Sequence, residues 1–126
     1  MLPFGVHFKP GAPVYQQVVY AVKKAIVSGQ MRPGDSFPSI RTLSQELRIN
    51  PNTAHRVVSC LVEQGLLGVV PGVGTVVASG RPASAKERAA LLEDEAERLI
   101  VEAKKLSLDQ KDVIEAVREH WNRLTR

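Results

Sequence analysis

Apolar positions along this chain follow a helical rhythm for most of its length, broken by a few short β-rich runs. Val14, Val18, Ala21, Val22, Ala25 and Ile26 recur at helical spacing behind Pro13, which can open a helix, and Ser28-Gly29 ends the run. Met31-Arg32-Pro33-Gly34-Asp35 reads as a turn. Ser39 can cap a short second helix with Ile40, Leu43 and Leu47 as its buried stripe. After a tight connection, Asn50 and Pro51 are a good N-cap and first-turn residue for a third helix. Its expected inward face is Ala54, Val58 and Leu61, and Gly65 stops it. Leu66–Val70 and Thr75–Ala78 are short β-rich runs flanking Pro71-Gly72-Val73-Gly74, which predicts a hairpin, and the opening FGVHF is a candidate third strand.

The order helix, helix, tight turn, helix, hairpin is that of a winged helix-turn-helix. A stretch without periodicity, 79–84, reads as a linker. Beyond it, Ala85, Ala89, Leu92, Ala96, Leu99, Ala103 and Leu106 form a heptad seam. Ser107-Leu108-Asp109-Gln110 reads as a capping box that restarts the helix, and Ile114, Val117, Trp121 and Leu124 continue the pattern. The expected architecture is therefore mainly α with a small β wing. A winged helix-turn-helix DNA-binding domain occupies 1–78, and a two-helix dimerisation hairpin occupies 85–126. Such a hairpin buries too little alone, so Leu92, Leu99, Leu106, Val117, Trp121 and Leu124 are assigned to a homodimer interface.

Charge sharpens this division. Residues 1–80 carry seven Lys and Arg against three Asp and Glu, whereas 81–126 carry ten of each, so the whole net charge of +4 lies in the first part. That asymmetry suits an anionic partner for the head and neutral association for the tail. The apolar fraction (44%) and charged fraction (24%) are those of a globular chain, not a disordered one. No apolar run approaches the length of a membrane span, and no secretory signal is visible, so the expected location is the cytoplasm, with no membrane partner. A lone cysteine, Cys60, excludes an intramolecular disulfide framework.

The third helix opens on RINPNTAHR, a run of hydrogen-bonding side chains that neither a core helix nor a plain surface helix calls for. Asn52, His55, Arg56 and Ser59 share one face, positioned to read a DNA major groove: Asn can pair with adenine and Arg with guanine. Thr53 can meet a phosphate or a thymine methyl, and Arg41 on the preceding helix can reach a phosphate. Plainer roles stand beside these: Asn50 and Thr53 as caps alone, His55 as an idle surface residue, Arg41 and Arg56 as solvated charges. His7, His55 and His120 have no metal-ligand spacing, and no nucleophile–base set or phosphate loop is present, so neither enzyme activity nor a metal or other cofactor is expected.

Taken together, P-x-Y-x-Q, S-G-x-x-x-P-G-D, P-S-x-R-x-L, N-P-N-T, E-x-G-L-L and G-x-G-T-x-V, spread over Pro13–Val77, resemble the winged-helix domain of GntR-type bacterial transcription regulators. The residues after 80 are too few for the large effector-binding or aminotransferase-like domains of most relatives, and the short helical tail is similar to that of the YtrA subfamily. The resemblance implies a dimeric repressor on a double-stranded, inverted-repeat DNA operator, commonly upstream of its own operon with transporter genes. It implies DNA contacts at or beside Arg41, Asn50, Asn52, Thr53, His55 and Arg56, and at Gly72 on the wing tip. Relatives often carry basic residues around the wing glycines, where this chain has Val70, Pro71 and Val73. Any small-molecule effector would sit between domains or at the dimer interface, because the tail is too small to enclose one. The rival reading is a protein-interaction adaptor whose winged helix does not read DNA.

Overall fold

The computed structural model describes residues 1–124, and the chain divides into two compact units, the first Met1–Gly80 and the second beginning at Arg81. In the first unit, helix α1 (Val14–Val27) and helix α2 (Ile40–Leu47) both pack on helix α3 (Pro51–Glu63). A two-stranded antiparallel sheet follows, β1 (Leu67–Val70) and β2 (Gly74–Val77), with Leu67 opposite Val77 and Val70 opposite Gly74. The wing is thus built from consecutive strands joined by Val70-Pro71-Gly72-Val73. Here Pro71 and a left-handed Gly72 (φ +79°) suit a tight turn, and the Val73 N–H donates to the Val70 carbonyl at 3.0 Å.

The third pairing partner of the wing is not the N-terminal FGVHF. The Asp35–Phe37 stretch runs antiparallel to β2 instead: Val77 N–H donates to the Asp35 carbonyl (2.9 Å) and Phe37 N–H to the Thr75 carbonyl (2.8 Å). The opening segment has no strand structure, and Phe4 is buried there, its ring stacked on Phe37 at 6.0 Å. Gln17 clamps the same segment onto α1. Its side chain accepts from the Lys9 N–H (2.9 Å) and donates to the Lys9 and Ala12 carbonyls (2.8 and 2.9 Å). This gives the Gln of P-x-Y-x-Q a mechanical purpose.

Val18, Val22, Leu43, Ala54, Val57 and Leu61 are wholly buried and form the centre of the core, with Met31, Leu67 and Val77 closing it. On α3 the inward residue is Val57, while Val58, expected inside, is half-buried, because the helix turns its Ala54/Val57/Leu61 edge to α1 and α2.

The second unit is helical. Helix α4 (Ala85–Ala89) continues through a π-helical stretch, Ala90–Glu95, into α5 (Ala96–Lys105), and α6 (Gln110–Arg123) follows a corner. Ser84 caps α4 by a reciprocal pair: Glu87 N–H donates to Ser84 Oγ and Ser84 N–H to the Glu87 carboxylate, both at 3.1 Å. The heptad seam does not run straight. Hydrogen bonds spanning five residues add a residue to the π turn, so Ala85 and Ala89 are rotated away from the line of Ala96, Leu99 and Ala103. Ser107 is not an N-cap. It is the left-handed residue (φ +58°) of the corner, where Leu108 N–H donates to the Ala103 carbonyl at 2.9 Å, and α6 is capped from Asp109, whose N–H donates to Asp112. The expected pair of tail helices is present, but α5 and α6 do not pack along their lengths as a closed hairpin. Leu92, Leu99, Leu106, Val117 and Trp121 are exposed and Leu124 is half-buried.

Candidate nucleic-acid interface

The α2–turn–α3 unit is fixed from its backbone outward. Ser39 Oγ accepts the Thr42 N–H (3.1 Å) and starts α2. At the other end Arg48 is left-handed (φ +54°, ψ +47°), and Ile49 N–H donates back to the Ser44 carbonyl at 3.1 Å. The Ser44 hydroxyl adds a second tie, donating to the Ile49 carbonyl at 2.8 Å. Asn50 then caps α3, its side-chain oxygen accepting the Asn52 N–H at 2.8 Å, and Pro51 takes the first helical position. Backbone and side-chain bonds thus hold the angle between the two helices.

With Ala54, Val57 and Leu61 turned inward, α3 leaves Asn52, His55, Arg56 and Ser59 exposed, with Thr53 half-buried at the leading end. The structure brings these residues onto one helix as expected, but it treats two of them differently. The His55 ring nitrogen Nδ1 lies 3.4 Å from Ser59 Oγ, a long contact that leaves both groups accessible. The Arg56 guanidinium is committed: its carbon sits 3.7 Å from the centre of the Tyr15 ring on α1. Asn50 is at the end of the same helix with its oxygen engaged in the cap, and Arg41 is exposed on α2.

The electrostatics separate the two units. None of the Lys or Arg side chains of residues 1–80 forms an ion pair among the described residues. In the tail, Arg81, Arg98, Lys105 and Arg123 all pair with Glu. The Lys and Arg charges of the head are therefore not neutralised by internal carboxylates, whereas four of those in the tail are. Glu87 shows the tail pattern most sharply. The Ser84 N–H, the Arg81 guanidinium (3.0 Å) and the Ser84 hydroxyl hold its carboxyl down at about pKa 2.

The wing differs in kind. From Gln64 to Gly80 there is no charged residue, and Val69 and Val73 are about two-thirds exposed (67% and 66%) on either side of the Gly72 turn. An added Cβ at Gly72 would meet nothing within 4 Å, so that glycine answers to its backbone angle and not to crowding.

Three residues of this surface escape a reading of the sequence: Tyr15, which holds Arg56; Ser44, which ties the turn; and Arg48, which occupies a backbone region costing a non-glycine residue roughly 1–3 kcal/mol. Tyr15 lies within P-x-Y-x-Q, but a partner so far along the chain leaves no local signal.

Residues 14–77 match the gntR family of bacterial regulatory proteins. The chain belongs to that family. Among its relatives is the HTH-type transcriptional repressor YtrA of Bacillus subtilis, 25% identical over 112 residues, which cover 88% of this chain and 86% of that protein. The similarity therefore includes the tail as well as the winged helix. A transcriptional antiterminator from Listeria monocytogenes has the same fold, with a TM-score of 0.85 over 98% of this chain and 92% of its own at 24% identity. The DNA-binding domain of AraR, solved in complex with an operator, is 31% identical over 58% of this chain and 93% of its own, with a TM-score of 0.51. Among gntR members, then, this chain combines the shared winged helix with a short helical tail.

Proposed function

We propose that this protein, a sequence-specific DNA-binding regulator, acts as a dimeric repressor on an inverted-repeat operator. The observation that carries the proposal is the exposed, polar flank of a capped α3 in a head whose Lys and Arg side chains have no carboxylate partner among the described residues. In this reading the N-terminal end of α3 enters the major groove. Asn52 hydrogen-bonds a base edge, His55 and Ser59 contact the next bases, and Thr53 meets a phosphate or a thymine methyl. Arg41 anchors a phosphate, and Asn50 orders the helix end beside the backbone. Arg56, stacked on Tyr15, presents its remaining N–H edge along the flank of the groove as a backbone contact. Gly72 brings wing backbone N–H groups to the DNA without the basic side chains that would strengthen the contact.

The dimer rests on the exposed Leu92, Leu99, Leu106 and Val117 of the tail, an apolar surface that a second copy would cover. Two heads about 34 Å apart would then read the two halves of a palindrome and block transcription. Among the described residues no helix is long and apolar enough to cross a membrane. The reading assigns the protein to the cytoplasm beside the chromosome, with no catalytic step. A small-molecule effector, if one acts, would bind where two copies meet.

The uncharged wing favours a second reading, in which the winged helix is an adaptor for another protein. Salt separates the two. Labelled duplex from upstream of the native gene, titrated at two salt concentrations against a scrambled competitor, should bind two chains. That binding should resist the competitor and weaken steeply with salt. Binding indifferent to sequence and salt would favour the adaptor.

A further inference from the structure

We infer that Arg48, in the turn between α2 and α3, is a phosphate anchor, held in an unfavourable backbone conformation for the sake of its charge. The inference rests on the DNA-binding reading above and extends it to a residue outside the recognition helix.

Four observations point this way. First, Arg48 is left-handed (φ +54°, ψ +47°), a region that glycine enters freely and that an L-residue with a long side chain does not favour. The turn itself would be better served by glycine. Second, the fold does not use the side chain. Ser44 ties the turn twice through Ile49, by its carbonyl at 3.1 Å and its hydroxyl at 2.8 Å, and Asn50 caps the next helix. Third, the side chain is exposed and has no carboxylate partner among the described residues, although Glu46 is close in sequence. Fourth, Arg48 stands two residues before the N-cap of α3, the end that enters the groove.

Ser107 makes a useful contrast. It has the same left-handed geometry at the tail corner, but it is a short residue with no charge to offer. A cation placed where the chain prefers glycine, at the mouth of a DNA-reading helix and with no internal partner, is suited to a phosphate oxygen. Contacts to phosphate fix position without reading bases, so the contribution of Arg48 should be the same on any duplex.

That property makes the test independent of the operator. The full-length chain, Arg48→Gly and Arg48→Lys are titrated against a random-sequence duplex of about 30 base pairs over a series of salt concentrations. Arg48→Gly should raise the melting temperature by a few degrees while weakening binding. The slope of log affinity against log salt should become shallower by about 0.9, the loss of one phosphate contact. Arg48→Lys should keep the slope of the parent chain. An unchanged slope for Arg48→Gly, with binding otherwise intact, would overturn the inference and leave the DNA-binding reading standing. Absence of duplex binding by the parent chain would overturn both.

Discussion

The guanidinium of Arg56 lies face-on to the ring of Tyr15, 3.7 Å from its centre, joining the recognition helix to the first turn of α1. Both residues lie at the edge of the core, where water still reaches them. The stack takes Arg56 away from free rotation and fixes where its charge is presented.

The stack couples the two residues energetically. In a double-mutant cycle of Tyr15→Leu and Arg56→Ala, followed by urea denaturation, the coupling energy should be about 0.5–1 kcal/mol. Duplex affinity should fall for Arg56→Ala and fall less for Tyr15→Leu, which frees the charge without removing it. Zero coupling would mean that the guanidinium is not held.

Asn50 can be separated into its two duties. Replacing it with Ala removes the acceptor for the Asn52 N–H and should cost about 1 kcal/mol of stability in thermal or chemical denaturation. Asn50→Asp keeps an acceptor and should restore that stability, but it adds a negative charge beside the phosphates and should weaken duplex binding. If Asp restored both properties, Asn50 would be a cap and nothing more.

The start of the tail helix should be sensitive to acid. The Glu87 carboxyl, normally near 4.5, is held at about 2 by its Ser84 and Arg81 contacts. Because the folded value is depressed, its contribution is fully present above about pH 4.5 and is lost as pH falls through about 2. Amide exchange at residues 84–89 should accelerate across that window, and Glu87→Gln should remove the dependence. A Glu87 carboxyl titrating at the ordinary value by NMR would show that the capping box does not hold.

Tail exposure predicts a mutation that separates assembly from folding. Leu99 is about half exposed, so Leu99→Glu should leave helix content unchanged while converting a dimer to a monomer in sedimentation velocity. Affinity for a two-half-site duplex should fall by about 100-fold or more, since the second head no longer binds intramolecularly. A Leu99→Glu chain that still sediments as a dimer would place the interface elsewhere.

Local chemistry made much of this architecture legible. Ser39 and Asn50 are caps because their short polar side chains can reach back to a free N–H, and both act as caps here. Gly72 follows a proline in a tight turn, which fixes its backbone without reference to distant residues. The failures are of another kind. FGVHF has the alternation of a strand, yet Phe4 is buried against Phe37, and Asp35–Phe37 takes the place beside β2. Ser107 has a capping residue's chemistry but stands where the chain must reverse, so backbone angle overrode side-chain preference. A heptad count also cannot register a π turn, because the extra residue changes phase without changing composition.

The sequence by itself determined the three head helices, the caps at Ser39 and Asn50, the wing turn and the division of charge between head and tail, since each depends on neighbours within a few residues or on simple counting. Only the tertiary structure decided which cations are spent and which are free, that Arg56 stacks on Tyr15, that Arg48 bears left-handed backbone, and that α5 and α6 do not close on each other. Those outcomes depend on which surfaces meet once the core has formed, and a side chain's partner across a fold is set by packing, not by its place in the chain.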